Sequence, residues 1–253
     1  MIIDAHMHLP SDEPDLESKK RRLLSDMKAN GIDIGIVISD SELESSIGSM
    51  DDCAELFSDC SNVFAVAGIS PYINYNEQLE KLRNYLMRGL LVGIKLYCGH
   101  EPIYIDDSVL KPVFVLAAEY NVPVLFHSGW DNAQYAAPEM VKAAAVENPA
   151  VRLVCCHCYY PNLAECFETL KSFPNVYFDL SSVADDPERC PSIAETLERY
   201  IPAMPERFIF GSDYGCCDQK THIVFFESLN VPDEYRKLIF SLNAKKVYNI
   251  RLS

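Results

Sequence analysis

Apolar, β-branched runs recur along the chain at nearly even intervals. They begin near Ile2, Ile34, Val63, Leu91, Val122, Arg152, Val176 and Arg207. Between them the apolar positions switch to helical spacing, over Leu16–Asn30, Asp52–Asp59, Glu77–Arg88, Asp107–Tyr120, Pro138–Glu147, Leu163–Ser172 and Ile193–Tyr200. Two more helical patterns, Pro232–Phe240 and Asn243–Asn249, close the chain. Strand then helix, repeated eight times at about 30 residues per unit, predicts an α/β protein. The expected fold is a single (β/α)8 TIM barrel spanning residues 1–253, slight distortion allowed, with no accessory domain. An open doubly wound sheet is the structural alternative. It usually has fewer strands and often a glycine-rich phosphate loop after the first, and neither GxGxxG nor a Walker loop is present.

In such a barrel the chemistry sits at the C-terminal ends of the strands. The first run, Ile2-Ile3-Asp4-Ala5-His6-Met7-His8, ends in two histidines two residues apart. Strict alternation predicts that Asp4, His6 and His8 share one face and Ile3, Ala5 and Met7 the other. An HxH alone is weak evidence for a metal, since most histidine pairs make ordinary hydrogen bonds. Its neighbours change the picture. The fourth run ends near Lys95, the fifth at His127, the sixth at His157 and the eighth at Asp213. Four of the six histidines therefore fall at strand ends. His6, His8, His127 and Asp213 would bring three imidazoles and a carboxylate to one mouth, a donor set suited to a borderline divalent ion. Lys95 has three readings: a salt bridge, a substrate contact, or an amine carboxylated to bridge two metals.

The chain has 253 residues, 49% of them hydrophobic and 23% charged, enough for a sizeable core. Its formal charge of −15 disfavours nucleic acid and anionic lipid as partners. No apolar run approaches the ~20 residues of a membrane span. The start lacks the basic and apolar pattern of a secretory signal, so a cytoplasmic location is expected. The ten cysteines include Cys155-Cys156-His157-Cys158 and Cys216-Cys217 but no CxxC knuckle. Neighbouring strand residues face opposite ways, so these letters do not form one zinc site, and reduced, mostly buried thiols are expected.

Taken together, Asp4-Ala5-His6-Met7-His8, Gly93-Ile94-Lys95-Leu96, Pro123-Val124-Leu125-Phe126-His127-Ser128-Gly129, His157, Phe210-Gly211-Ser212-Asp213-Tyr214 and Asn243-Ala244-Lys245-Lys246-Val247-Tyr248 resemble the amidohydrolase superfamily, specifically its amidohydrolase-2 branch. The resemblance spans nearly the whole chain. It implies metal ligation by His6, His8, His127 and Asp213, with Asp213 also handling the proton. It makes His157 either a second-metal ligand or the residue that orients water or polarises substrate. Lys95 matches the lysine that some binuclear relatives carboxylate. One divalent ion is favoured over two, zinc first, with manganese or iron as alternatives. Relatives often carry proline after the Gly-Ser-Asp-Tyr run, whereas here Gly215 is followed by Cys216-Cys217.

The expected activity is hydrolysis of an amide, lactone or related ester of a small molecule by metal-activated water, with Asp213 and His157 as catalytic residues. Non-oxidative decarboxylation of a small aromatic acid is the first alternative, and a catalytically silent binding barrel the second. Tyr97, Trp130 and Tyr214 are candidates for the substrate pocket. Asp179 has two readings, a partner that supports the site or simply a buried hydrogen bonder, and His100 and His222 are expected as solvent-facing loop residues. Scarce arginines in the strand-end loops do not indicate a strongly anionic substrate. Oligomeric state is not legible.

Overall fold

A computed structural model of the protein describes residues 1–250, with the backbone alone for residues 130–132. Eight parallel strands pair in chain order: β1 (Ile3–Met7), β2 (Ile34–Ile38), β3 (Val63–Gly68), β4 (Leu91–Leu96), β5 (Val124–His127), β6 (Leu153–Cys156), β7 (Val176–Asp179) and β8 (Phe208–Ile209). The ring closes between β8 and β1. Ala5 donates its N–H to the Phe210 carbonyl (3.0 Å), Asp213 to that of His6 (2.8 Å) and His8 to that of Tyr214 (2.7 Å). The expected (β/α)8 barrel is thus the observed one, with a short eighth strand that continues as single hydrogen bonds.

The alternation expected in β1 fails at one point. Asp4 pairs with Gly35 and Met7 with Val37, so β1 spends three residues where β2 spends two. This is a β-bulge, and it turns the strand's faces over. Ile3 and Ala5 pack in the barrel interior with Ile36, Val66, Leu125 and Ile209. His6 and His8 beyond the bulge line the mouth. Asp4 instead shares the outer side with Met7: both contact the Gln219 side-chain nitrogen, at 3.3 Å each. Asp4 is therefore not on the histidine face. It accepts the N–H and hydroxyl of Ser212, which ties β1 to the β8 end.

Helices wrap the ring: α1 (Leu16–Ala29), α2 (Met50–Leu56), α3 (Tyr75–Met87), α4 (Lys111–Tyr120), α5 (Pro138–Glu147), α6 (Leu163–Leu170), α7 (Cys190–Tyr200), α8 (Gln219–Ser228), α9 (Asp233–Lys237) and α10 (Asn243–Val247). Polar caps set their starts. Asp15 accepts the Ser18 N–H, and Ser49 with Asp52 forms a reciprocal capping box. The pattern analysis did not anticipate α8. Its run Thr221-His222-Ile223-Val224-Phe225-Phe226 is β-branched and aromatic, which reads as strand by propensity. The Asp218 cap, accepting the Thr221 N–H, starts the helix, and burial of Ile223, Phe225 and Phe226 holds it. The expected helix Pro232–Phe240 becomes α9 followed by a π turn over Leu238–Leu242. There the Ile239 carbonyl accepts the N–H of Phe210, joining the last helices to the strand that leads to Asp213. Val247 and Tyr248 pack into the interior cluster. Among the described residues no helix is long and apolar enough to cross a membrane.

Gly211 marks the tightest point of the closure. A Cβ there would lie 2.7 Å from the Cβ of His6 and 2.7 Å from Oδ1 of Asp179. Gly211→Ala is expected to lower unfolding stability by about 1–3 kcal/mol through overpacking, read from denaturant midpoints. An unchanged midpoint would contradict this close approach.

Candidate metal centre

The cluster is built from strand ends that the bulge and the closure bring together. Donor atoms of His6, His8 and Asp213 all lie within 4.8 Å of one another. Nε2 of His6 is 3.4 Å from Oδ1 of Asp213, and Nε2 of His8 is 3.3 Å from the same oxygen. The other ring nitrogens are committed. Nδ1 of His6 meets Oδ2 of Asp179 at 2.5 Å, and Nδ1 of His8 meets the Ile38 carbonyl at 2.9 Å. A carbonyl and a carboxylate only accept, so each Nδ1 carries the hydrogen. In the neutral rings both Nε2 lone pairs then face Asp213. Two lone pairs and a carboxylate pointed at one spot repel unless a cation lies between them. The donor set therefore fits a divalent ion, and outer partners of this kind are the usual means of aiming metal-binding imidazoles.

Electrostatics agree with that reading. Burial alone would raise Asp213, but the imidazoles that surround it, His6 first and then His8 and His157, hold its carboxyl well below the usual range. Asp213 also accepts the Ser182 hydroxyl on Oδ2 at 2.5 Å. Burial likewise opposes ionisation of Asp179, and the adjoining His6 imidazole, hydrogen-bonded to it through Nδ1, lowers it nonetheless. Burial pushes His157 down to about 3, and it lowers His127 as well, assisted by neighbouring His157 and Lys95. Both rings are thus held neutral.

His127 and His157 stand beside the trio. The His157 ring centroid is 5.0 Å from that of His6 and 4.9 Å from that of His127. Nδ1 of His157 lies 2.9 Å from the Ser181 hydroxyl and 3.3 Å from the Ser181 carbonyl, which turns Nε2 away from that partner. His157, Ser182 and Asp213 all have positive φ, at 64°, 59° and 64°. Left-handed backbone is uncommon outside glycine, less so for Asp and His than for Ser, and it concentrates at functional sites. A second trio within 4.8 Å, His6, Cys156 and Asp179, shares His6, whose Nδ1 already serves Asp179.

The remaining candidates divide. Lys95 is 1% exposed, lines the cavity and lies 5.4 Å from the Tyr97 ring centroid. Among the described residues no carboxylate pairs with it, so the salt-bridge reading is not realised there. Tyr97 lines the cavity and donates its hydroxyl to the Ser39 carbonyl. Tyr214 does not line it: its hydroxyl reaches Asp26 on α1 at 2.7 Å, so this pocket assignment is corrected. The side chain of Trp130 lies outside the described residues. His222, expected on a solvent-facing loop, is fully buried on α8. His100 is exposed, but its ring packs 4.3 Å from that of His127 and lines the mouth. Sequence reasoning gave Ser181 and Ser182 no role. Their only signal was position, directly after Asp179 at a strand end. The whole cavity measures about 740 Å³.

Comparison with known proteins agrees with this fold. The family model described as amidohydrolase matches residues 3–250. Among curated proteins none matches the chain. An uncharacterized TIM-barrel protein from Bordetella bronchiseptica superposes with a TM-score of 0.79 at 19% identity, covering 98% of both chains. A probable 2-pyrone-4,6-dicarboxylic acid hydrolase from Acinetobacter baumannii gives 0.71 at 13% identity, covering 98% of this chain and 99% of its own. The 2,6-dihydroxybenzoate decarboxylase from Rhizobium gives 0.70 at 16% identity, covering 98% of both. A 5-carboxyvanillate decarboxylase from Novosphingobium aromaticivorans, with a TM-score of 0.60 at 14% identity, holds bound manganese.

Asp179→Asn keeps the shape but weakens the acceptor that holds His6. Affinity for zinc is expected to fall about 10–100-fold, measured by competition against a chromogenic chelator. Unchanged affinity would mean that the His6–Asp179 contact does not serve metal binding.

Proposed function

The chain belongs to the amidohydrolase family, and from that premise we propose that it is a metal-dependent hydrolase that cleaves an amide, lactone or related ester of a small molecule. The observation that carries this reading is the pair of imidazole lone pairs aimed at Asp213. We assign one divalent ion to the site, zinc first, held by His6, His8 and Asp213 with His127 on the adjoining side. Bound there, the ion supplies Lewis acidity that makes water a competent nucleophile near neutral pH.

The chain's own groups supply the rest. Asp213 is kept ionised by its surroundings, so it can accept the proton of the attacking water and deliver it to the leaving group. The Ser182 hydroxyl holds Oδ2 and fixes the carboxylate plane. His157, neutral and with Nδ1 turned to Ser181, presents Nε2 as an acceptor that orients the water. Lys95, buried at the cavity floor, is assigned to a substrate oxygen rather than to a bridging carbamate.

Decarboxylation is the second reading, because neighbours of this fold include decarboxylases beside hydrolases. The scarcity of cations in the cavity favours hydrolysis: Lys95 is the one lysine or arginine among its described lining residues. Two measurements separate the readings. Hydrolysis incorporates one solvent oxygen into product and releases no carbon dioxide; the reverse pattern sinks the hydrolase reading. Asp213→Asn, reloaded with metal, is expected to lose about 10²–10⁴-fold in kcat, and full turnover by that variant would remove Asp213 from the proton path.

A further inference from the structure

The cavity has opposite electrical ends. At its floor lies Lys95, buried, with no carboxylate partner among the described residues. At its mouth four carboxylates come from three separate loops: Asp40 and Glu42 after β2, Glu101 after β4, and Asp185 after β7. Glu42 and Asp185 are exposed, and Asp40 and Glu101 half-buried, so they rim the opening rather than the metal cluster.

Among the described residues none of the four forms an ion pair with a lysine, arginine or histidine. Asp40 accepts the Ser41 N–H at 2.7 Å and the Ser45 hydroxyl at 2.6 Å, and Glu101 accepts the Ser41 hydroxyl at 2.5 Å. These donors fix the carboxylates in place but carry no charge. The ion pairs of the described chain lie elsewhere, with Arg189 for instance pairing with Asp186 rather than Asp185. A rim of one sign focuses its field into the opening, attracts the opposite charge and repels its own.

Resting on the hydrolase reading above, we infer that the substrate is a small dipolar molecule: a hydrolysable carbonyl enters first, and a basic nitrogen trails at the mouth. The inner carbonyl oxygen meets the metal cluster and Lys95. The trailing ammonium or similar cation lies against Glu101 and Asp185. A substrate bearing a carboxylate at the trailing end is disfavoured by the same rim. The acidic rim alone would not define a ligand. The buried lysine at the opposite end, which contacts the Cys156 thiol but has no carboxylate partner among the described residues, gives the cavity a direction, and with it an orientation for what binds.

Three hydroxamates of matched length test this without relying on turnover, since the hydroxamate head grips the metal and the tail reads the mouth. Zinc-loaded protein is titrated by calorimetry with aminohexano-hydroxamate (cationic tail), hexano-hydroxamate (neutral) and adipic monohydroxamate (anionic). The cationic member is expected to bind about tenfold tighter than the neutral one, with the anionic member weakest and the spread narrowing as salt is raised. In Glu42→Gln/Glu101→Gln/Asp185→Asn the three affinities are expected to converge. If the anionic member binds as tightly as the cationic one, or the order survives in the variant, the dipolar-substrate inference is overturned while the metal site stands. If none of the three binds, the metal-hydrolase reading fails and this inference with it.

Discussion

The buried hydrogen bond between Nδ1 of His6 and Asp179 is the contact on which the site depends. It fixes one tautomer of one ring, and that choice propagates. With the hydrogen on Nδ1, Nε2 of His6 faces Asp213, and the Ile38 carbonyl imposes the same choice on His8. The chain has thereby arranged two electron pairs and an anion around a common point. Left alone, that arrangement is unfavourable, because buried groups of like polarity gain nothing from proximity. A bound cation reverses the sign of every one of these contacts. The backbone around it serves the same end. The bulge in β1 delivers both histidines to the mouth, and Gly211 lets β8 pass close enough to His6 and Asp179 for the ring to close.

The strand ends carry conformational cost as well as charge. His157, Ser182 and Asp213 hold positive φ in residues other than glycine, each worth on the order of 1–3 kcal/mol of strain. What keeps them there is redundancy. Asp213 is tied by its N–H to the His6 carbonyl and by its carboxylate to Ser182. His157 is tied through Nδ1 to Ser181, whose N–H is in turn held by Asp179. The strain and the hydrogen bonds form one network that runs from β6 through β7 to β8 and returns to β1.

Much of this was legible in the sequence, and the exceptions have physical causes. Eight evenly spaced apolar runs specify the barrel because every parallel strand must be buried on both faces. His6, His8, His157 and Asp213 were legible because a polar residue at the end of such a run stands out. The side on which Asp4 lies was not, since a one-residue bulge leaves no mark in composition yet inverts every side chain before it. The α8 helix was hidden for a related reason: its residues favour strand by propensity, and the Asp218 cap and burial override them. Tyr214 follows the Asp213 position in sequence but turns outward to Asp26, because consecutive residues at a strand end leave on opposite sides. Ser181 and Ser182 carry no chemical signature of their own and became visible only through their partners.

Charge decides what such a site can serve. A decarboxylase must draw a carboxylate into the cavity and hold it beside the metal. Here that carboxylate would pass Asp40, Glu42, Glu101 and Asp185 to reach a floor where Lys95 is the one lysine or arginine among the described lining residues. Repulsion at the rim is screened by salt, but a confined opening with low-dielectric walls weakens that screening. A hydrolase needs no such cation. In the proposed reaction its substrate would present a neutral carbonyl, and the negative charge that develops would form at the floor beside Lys95 rather than at the rim. The same distribution that hinders entry of an anion therefore supports formation of one at the floor. That asymmetry is the physical argument on which the proposal of hydrolysis rests.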